Sequence, residues 1–313
     1  MSYLTITKLK GHASIQDLGR PSAQHLGFSA SGAADEYSYL LANQLLNNAS
    51  SAPTLEVTLG QLSLTATDTC HMVITGADCQ AFIVNEQKKP LNVPNNQVFT
   101  LTKGNELHLF MPKKQLHSYI AIAGGFLSKR WLNSASQTAS EYALGFGEKK
   151  LAIGQNLCFS TVEQSKTYPL TSQPSHYFHQ DEQLALRFLP SGFWHNITVN
   201  KQQQLLAQKY QITPKSNRMG YRLSGKPLHL HDNSSLLSKP VNYGAIQLPD
   251  DGQIIILMKE RQTIGGYPVL GTVIQTDLFR LSQKRPGEYV NFVAVTLEQA
   301  QAQLLAFKTK FAS

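Results

Sequence analysis

The sequence predicts a mainly β protein with short helices, an α+β chain organised as two β-barrel-like domains. Short runs of alternating polar and apolar residues, broken at close intervals by Gly, Pro, Asn and Asp, dominate the chain. Few segments carry apolar residues at helical spacing. A polar stretch rich in Pro, Ser, Thr and Gln, from about 160 to 183, separates two halves written in the same style. With 313 residues, 42% of them hydrophobic, the chain can bury two cores. The domains are therefore placed at 1–165 and 184–313, with 166–183 as linker.

Taken in order, alternation predicts strands at 4–9, 56–65, 71–75, 81–84, 98–101, 106–110 and 118–122. A helix is expected over 34–46, where Tyr37, Leu40, Leu41 and Leu45 share a face and Asp35 and Glu36 sit in the first turn, favourable to the helix dipole. The second half gives strands at 184–189, 222–223, 254–258, 271–274 and 289–295, and a helix around 201–210. A closing helix at 297–308 has Ala300, Leu304, Leu305 and Phe307 available for its buried face.

Charge narrows the function classes. The formal net charge is +8 and the sequence pI about 9.3, which permits an acidic substrate or partner. The basic residues come in scattered pairs such as Lys113-Lys114 and Lys149-Lys150, with no run long enough to follow a phosphate backbone, so no nucleic acid is expected. The N-terminus lacks the basic-then-apolar build of a signal peptide, and no stretch of about 18 apolar residues predicts a membrane span. A cytoplasmic protein is expected. Cys70, Cys79 and Cys158, odd in number and at no metal-ligand spacing, read as reduced and mostly buried thiols.

Several motifs fail on inspection. Gly220 to Lys226 fits G-x-x-x-x-G-K, but Pro227 stands where a phosphate loop needs Ser or Thr. His229 and His231 with Asp232 could share a strand face, yet no third ligand is near, and no metal is expected. Met258-Lys259 is flanked by Glu260 and Arg261, unlike a biotin-accepting lysine, and no G-x-S-x-G elbow occurs.

Four turn-rich segments remain: Gln16-Asp17-Leu18-Gly19-Arg20-Pro21, Ser31-Gly32-Ala33-Ala34-Asp35, Ser216-Asn217-Arg218-Met219-Gly220, and Arg261-Gln262-Thr263-Ile264-Gly265-Gly266-Tyr267-Pro268. Arginine is the best planar donor for carboxylate and phosphate, and glycine lets backbone N–H groups approach an anion, so Arg beside Gly suits an anion site. The structural alternative has Asp17 pairing with Arg20 across a tight turn, while Asn217 and Gly265-Gly266 supply positive φ.

Together these segments, with Ala42-Asn43, Leu55-Glu56-Val57-Thr58, Ala123-Gly124-Gly125 and Gln283-Lys284-Arg285-Pro286-Gly287-Glu288, resemble a biotin-dependent carboxyltransferase-like family. That family comprises the C subunit of 5-oxoprolinase, allophanate hydrolase subunit 2 and KipA. The resemblance implies two cyclophilin-like β-barrel domains. It also implies a component of an ATP-dependent 5-oxoprolinase, with a KipI-like B subunit and a LamB/YcsF-like A subunit as partners. ATP would act at the level of the complex, and no biotin would be attached to this chain.

Carried onto this sequence, the resemblance makes Asp17, Asp35, Arg218 and Arg261 the catalytic candidates, with Arg20, Asn217, Gln262, Gly265, Gly266 and Tyr267 binding substrate. Arg218 and Arg261 are expected to line one anion pocket. Two departures stand out: Ala135 occupies the position of an Arg in the stretch 132–137, and Glu260 and Ile264 replace Asp and Thr of relatives. They leave two alternatives open, a carboxyltransferase component acting on a urea-like or amide substrate and a regulatory binding protein of the KipA type.

Overall fold

The computed structural model of the chain describes residues 2–85, 89–160, 168, 183–229 and 237–311. The expected linker 166–183 lies outside them except for Tyr168 and Gln183, as do His231 and Asp232. The chain divides into two units, Met1–Arg20 with Ser31–Tyr177, and Pro21–Ala30 with Phe178–Ser313.

In the first unit the elements run β1 (Ser2–Leu9), β2 (His12–Gln16), α1 (Glu36–Leu45), β3 (Thr54–Thr58), β4 (Leu62–Ala66), β5 (Cys70–Gly76), β6 (Phe82–Val84), β7 (Pro90–Asn92), β8 (Val98–Leu101), β9 (Glu106–Leu109), β10 (His117–Ile122), α2 (Ala139–Ala143) and β11 (Asn156–Phe159). They form a six-stranded sheet, β11-β1-β4-β9-β6-β7, and a five-stranded sheet, β2-β3-β10-β5-β8. Alternating side chains of both sheets meet in one core, Leu4, Ile6 and Leu64 from the first and Leu55, Val57, Ile74 and Ile120 from the second.

The single run expected at 56–65 is two strands, because Leu59, Gly60 and Gln61 take φ of 60°, 60° and 57° and turn β3 into β4. At Gly60 a side-chain carbon would lie 2.0 Å from the Phe110 carbonyl oxygen, so only glycine fits. Alternation is lost in β10, all of whose residues are buried, since one face looks into the core while α1 packs on β5 and β10. Nine of the ten residues of α1 are themselves buried, which is why its apolar stripe is not confined to one face.

The second unit contains β12 (Gln183–Pro190), α3 (Val199–Ala207), β13 (Tyr210–Ile212), β14 (Gly220–Ser224), β15 (Lys239–Pro240), β16 (Ala245–Gln247), β17 (Ile255–Leu257), β18 (Ile264–Gly265), β19 (Val269–Val273), α4 (Gln275–Ser282), β20 (Tyr289–Ala294) and α5 (Leu297–Phe311). Seven strands close into a barrel, β12-β19-β16-β17-β14-β13-β20. Its seam is the parallel pair β12–β20, and Leu186, Phe188, Ile246, Ile256 and Phe292 fill the interior. The ribbon β15–β18 stands apart, with Lys239 opposite Gly265.

Two helix expectations need correction. The helix expected around 201–210 ends at Ala207, and Tyr210 opens β13 with its ring buried against Phe292, 5.3 Å between centroids. In α5 no residue is buried; Phe307 meets Phe279 of α4 at 5.1 Å, while Leu305 is 67% exposed. Helix α4 was not legible because Thr276, Asp277 and Ser282, polar in sequence, are buried with Leu278 and Leu281. Among the described residues no helix is long and apolar enough to cross a membrane.

Cys70 and Cys79 are buried and Cys158 is partly accessible. Burial pushes the Cys70 thiol up to about 12. Titration with an aromatic disulfide at pH 8 should therefore modify Cys158 readily and Cys70 and Cys79 only after denaturation. Rapid modification of Cys70 in the native chain would contradict this packing.

Candidate functional site

The ten expected site residues fall into both units. In the first, the structure brings the first two motifs together, the Ala33 N–H donating to the Asp17 carbonyl oxygen at 2.9 Å. Asp17 is buried at the end of β2, and its carboxylate accepts from the Gly19 N–H (2.7 Å), Ser134 Oγ (2.6 Å), Ser136 Oγ (2.7 Å) and the Ala135 N–H (2.7 Å), with Arg130 Nη1 at 3.5 Å. One carboxylate thus organises the loop whose sequence departs from the family pattern. Trp131 to Ser134 close a two-residue turn on positive φ at Leu132 and Asn133, and the Trp131 ring stacks on Phe146 at 5.4 Å.

Arg20 does not pair with Asp17. Its buried guanidinium donates to Glu141 Oε2 of α2 at 3.2 Å and to the Ser136 carbonyl, and lies 4.9 Å from the Trp131 ring centroid. Asp35 is wholly buried and caps α1, accepting from the N–H and hydroxyl of Ser38. Its own N–H donates to Tyr119 Oη, which donates in turn to buried Glu56, and burial next to Glu56 raises the Tyr119 phenol well above its usual range. Each of the charges of Asp17, Arg20 and Asp35 is engaged by loop or helix groups that would otherwise be buried without partners.

In the second unit the last two motifs also meet: the Glu260 N–H donates to the Arg218 carbonyl at 2.8 Å, and Arg218 Nε donates to Glu260 Oε1 at 2.5 Å. Arg218 is therefore half of an ion pair with Glu260. Exposed Asn217 makes an Asx turn, its Oδ1 accepting from the Met219 N–H at 2.8 Å.

Arg261 is different. It is 5% exposed, and among the described residues its Nε and Nη1 reach only carbonyl oxygens, Val241 at 3.3 Å and Met258 at 3.4 Å. Desolvation lowers its pKa from the ordinary arginine value, opposed by Tyr243. The neighbouring cation Lys259, 6% exposed, shares Tyr243, Nζ lying 4.8 Å and Arg261 Cζ 5.8 Å from the ring centroid. Gly265 and Gly266 do not have positive φ, so that expectation is also corrected. Gly265 is instead closely packed: a side-chain carbon there would lie 2.6 Å from Gln247 Nε2, 3.3 Å from Val241 Cγ1 and 3.7 Å from Gln262 Nε2. Gln262 and Tyr267 are exposed beside it. No local signal points to Gln247, Tyr243 or Lys259 at this site, because they lie on β16, before it and after β17, outside the Arg-Gly motifs.

The profile of the carboxyltransferase domain, subdomain A and B, matches residues 26–294. The chain belongs to this carboxyltransferase-domain family. Within the family it is 31% identical over 302 residues to the 5-oxoprolinase C subunit of Escherichia coli (strain K12), covering 95% of this chain and 93% of the relative, and 30% identical to the corresponding C subunit of Haemophilus influenzae. Urea amidolyase of Saccharomyces cerevisiae is 24% identical over 316 residues, covering 96% of this chain but 17% of that protein. The solved structure of TTHA0988 superposes with a TM-score of 0.80 at 26% identity over 94% of this chain, which spans only 56% of that longer chain. The Kluyveromyces lactis urea amidolyase structure, at 20% identity and a TM-score of 0.86, shares the carboxyltransferase-domain fold.

Proposed function

We propose that this chain is the C subunit of an ATP-dependent 5-oxoprolinase, which opens the lactam of 5-oxo-L-proline to L-glutamate. The observation that carries this is the 31% identity with a 5-oxoprolinase C subunit across 93% of that relative. A lactam is a poor electrophile; transfer of the ATP γ-phosphoryl group to its oxygen activates the carbon, water adds there, the C–N bond breaks with the ring nitrogen leaving as the amine, and a second water hydrolyses the resulting acyl phosphate to carboxylate and phosphate. ATP is bound by the complex with a KipI-like B subunit and a LamB/YcsF-like A subunit, and the chain carries no biotin. It works in the cytoplasm. Arg261, the buried arginine left without a described carboxylate partner, is the residue of the expected set best suited to an anionic group.

A second reading, a carboxyltransferase component acting on a urea-like or amide substrate, is favoured by the urea amidolyase matches. The test is to purify the chain alone and with its two partners and to follow glutamate release. ATP-dependent glutamate formation by the assembly, and none by the single chain, is expected. Appreciable turnover by the single chain, or none by the assembly, overturns the proposal, and ATP-dependent carboxylation of urea by an assembly with a biotin carrier would replace it.

A further inference from the structure

We propose that the loop 142–150 of the first unit, with Lys129 beside it, is the surface on which a partner subunit docks, the partner presenting an apolar hollow with an acidic rim. The first observation is apolar exposure. Every residue from Tyr142 to Gly147 is exposed, among them Tyr142 (41%), Leu144 (70%) and Phe146 (42%). An exposed apolar side chain standing singly is ordinary, but three at alternate positions of one turn form a patch, and such patches mark contact surfaces.

The second observation is that the fold holds this patch outward. The Phe146 N–H donates to the Glu141 carbonyl oxygen and the Gly145 N–H to that of Tyr142, both at 2.9 Å, with Gly145 at a φ of 86°, so a left-handed glycine turn closes α2. Both ends of the loop are pinned. Glu141 pairs with buried Arg20 at 3.2 Å, and Glu148 accepts from Ser128 Oγ at 3.0 Å, the Lys129 N–H at 3.2 Å and Gln137 Nε2 at 3.2 Å. The Phe146 ring lies against Trp131. Side chains presented on a fixed turn lose little conformational entropy on binding, and aromatic residues are the common anchors of protein interfaces.

The third observation is charge. Glu148, the one acid between 142 and 150, is turned to Ser128 and Gln137. Lys129, Lys149 and Lys150 are exposed and make no ion pair among the described residues. Cations around an apolar centre fit an acidic protein surface. A second copy of this chain, itself at +8 and bearing the same three lysines, would meet the face with like charge.

That a partner subunit exists rests on the proposed function; where it docks does not. The test is calorimetric titration of the full chain with each of its two partners, at low and high salt. One partner should bind, and more weakly as salt rises. Leu144→Glu should weaken that binding at least about tenfold, the scale of losing one interface anchor, with an unchanged melting temperature because the side chain is exposed. Lys149→Glu combined with Lys150→Glu should weaken it too and flatten the salt dependence. Leu305→Glu, which puts the same charge on an exposed leucine of α5 in the second unit, should leave the affinity as it is.

No binding to either partner, salt-independent binding, unchanged affinity in Leu144→Glu, or an equal loss in Leu305→Glu overturns the inference. So does self-association of the chain, or its sedimentation with phosphatidylserine vesicles, that is lost in Leu144→Glu, since the face would then have another occupant. A complex that depends on Leu144 but releases no glutamate would sink the 5-oxoprolinase reading alone. Glutamate release by an assembly that forms equally well with Leu144→Glu would sink the docking surface alone.

Discussion

Replacing Asp17 by Ala is expected to destabilise the first unit by about 4 kcal/mol, the range for removing one partner of a buried, fully bonded charge. For a chain of this size that is a fall in melting temperature of about 10 °C. The Asp17 carboxylate is the common acceptor for Gly19, Ser134, Ala135 and Ser136, so its loss leaves two N–H groups and two hydroxyls near the loop without their acceptor. Asp17→Asn, which keeps the shape and one acceptor oxygen, should lose about half as much. The effect should also be local: the amides of Gly19 and Ala135 should exchange faster with solvent, whereas strand amides of the second unit should not. A variant that melts like the natural chain but abolishes activity of the assembly would restore the catalytic role the sequence suggested for Asp17.

The counterpart in the second unit is Asp277. It is wholly buried in the first turn of α4 and accepts from the Arg187 N–H (2.8 Å), Nε (2.9 Å) and Nη2 (2.6 Å) of β12. This bidentate pair fastens a helix N-terminus to the barrel strand that pairs in parallel with β20. Asp277→Ala should cost about 3–5 kcal/mol, since both the Arg187 guanidinium and a backbone N–H lose their acceptor. Chemical denaturation followed by tryptophan fluorescence would measure it, because Trp194 lies against Phe188 in the same barrel, 5.4 Å between centroids. A loss below about 1 kcal/mol would mean that the pair behaves as a solvent-screened surface bridge, contrary to its burial.

The partners of these charges are not the ones that nearness in sequence suggests. Asp17 and Arg20, three residues apart, look like partners in a turn, yet Arg20 pairs with Glu141 and Asp17 with the loop 134–136, more than a hundred residues away. Arg218 and Arg261 look alike in sequence, each near a glycine. Only the strand pairing of β14 with β17, which carries Arg218 to Glu260, makes one an ion pair and leaves the other facing carbonyl oxygens and a tyrosine ring.

The sequence by itself determined the strand-rich fold class and the family. Those properties follow from local periodicity, turn residues and the order of motifs along the chain. The strand β16, the helix α4, the split of the run at 56–65 and the meeting of Lys259 and Arg261 at the Tyr243 ring were decided only by tertiary structure. The split depends on the Phe110 carbonyl that excludes a side chain at Gly60, and the helix on the Arg187 that satisfies a buried Asp277, partners distant in sequence. Burial turns a polar residue into either a structural anchor or a binding group according to whether the fold brings it an acceptor, and no local pattern records where that acceptor will be.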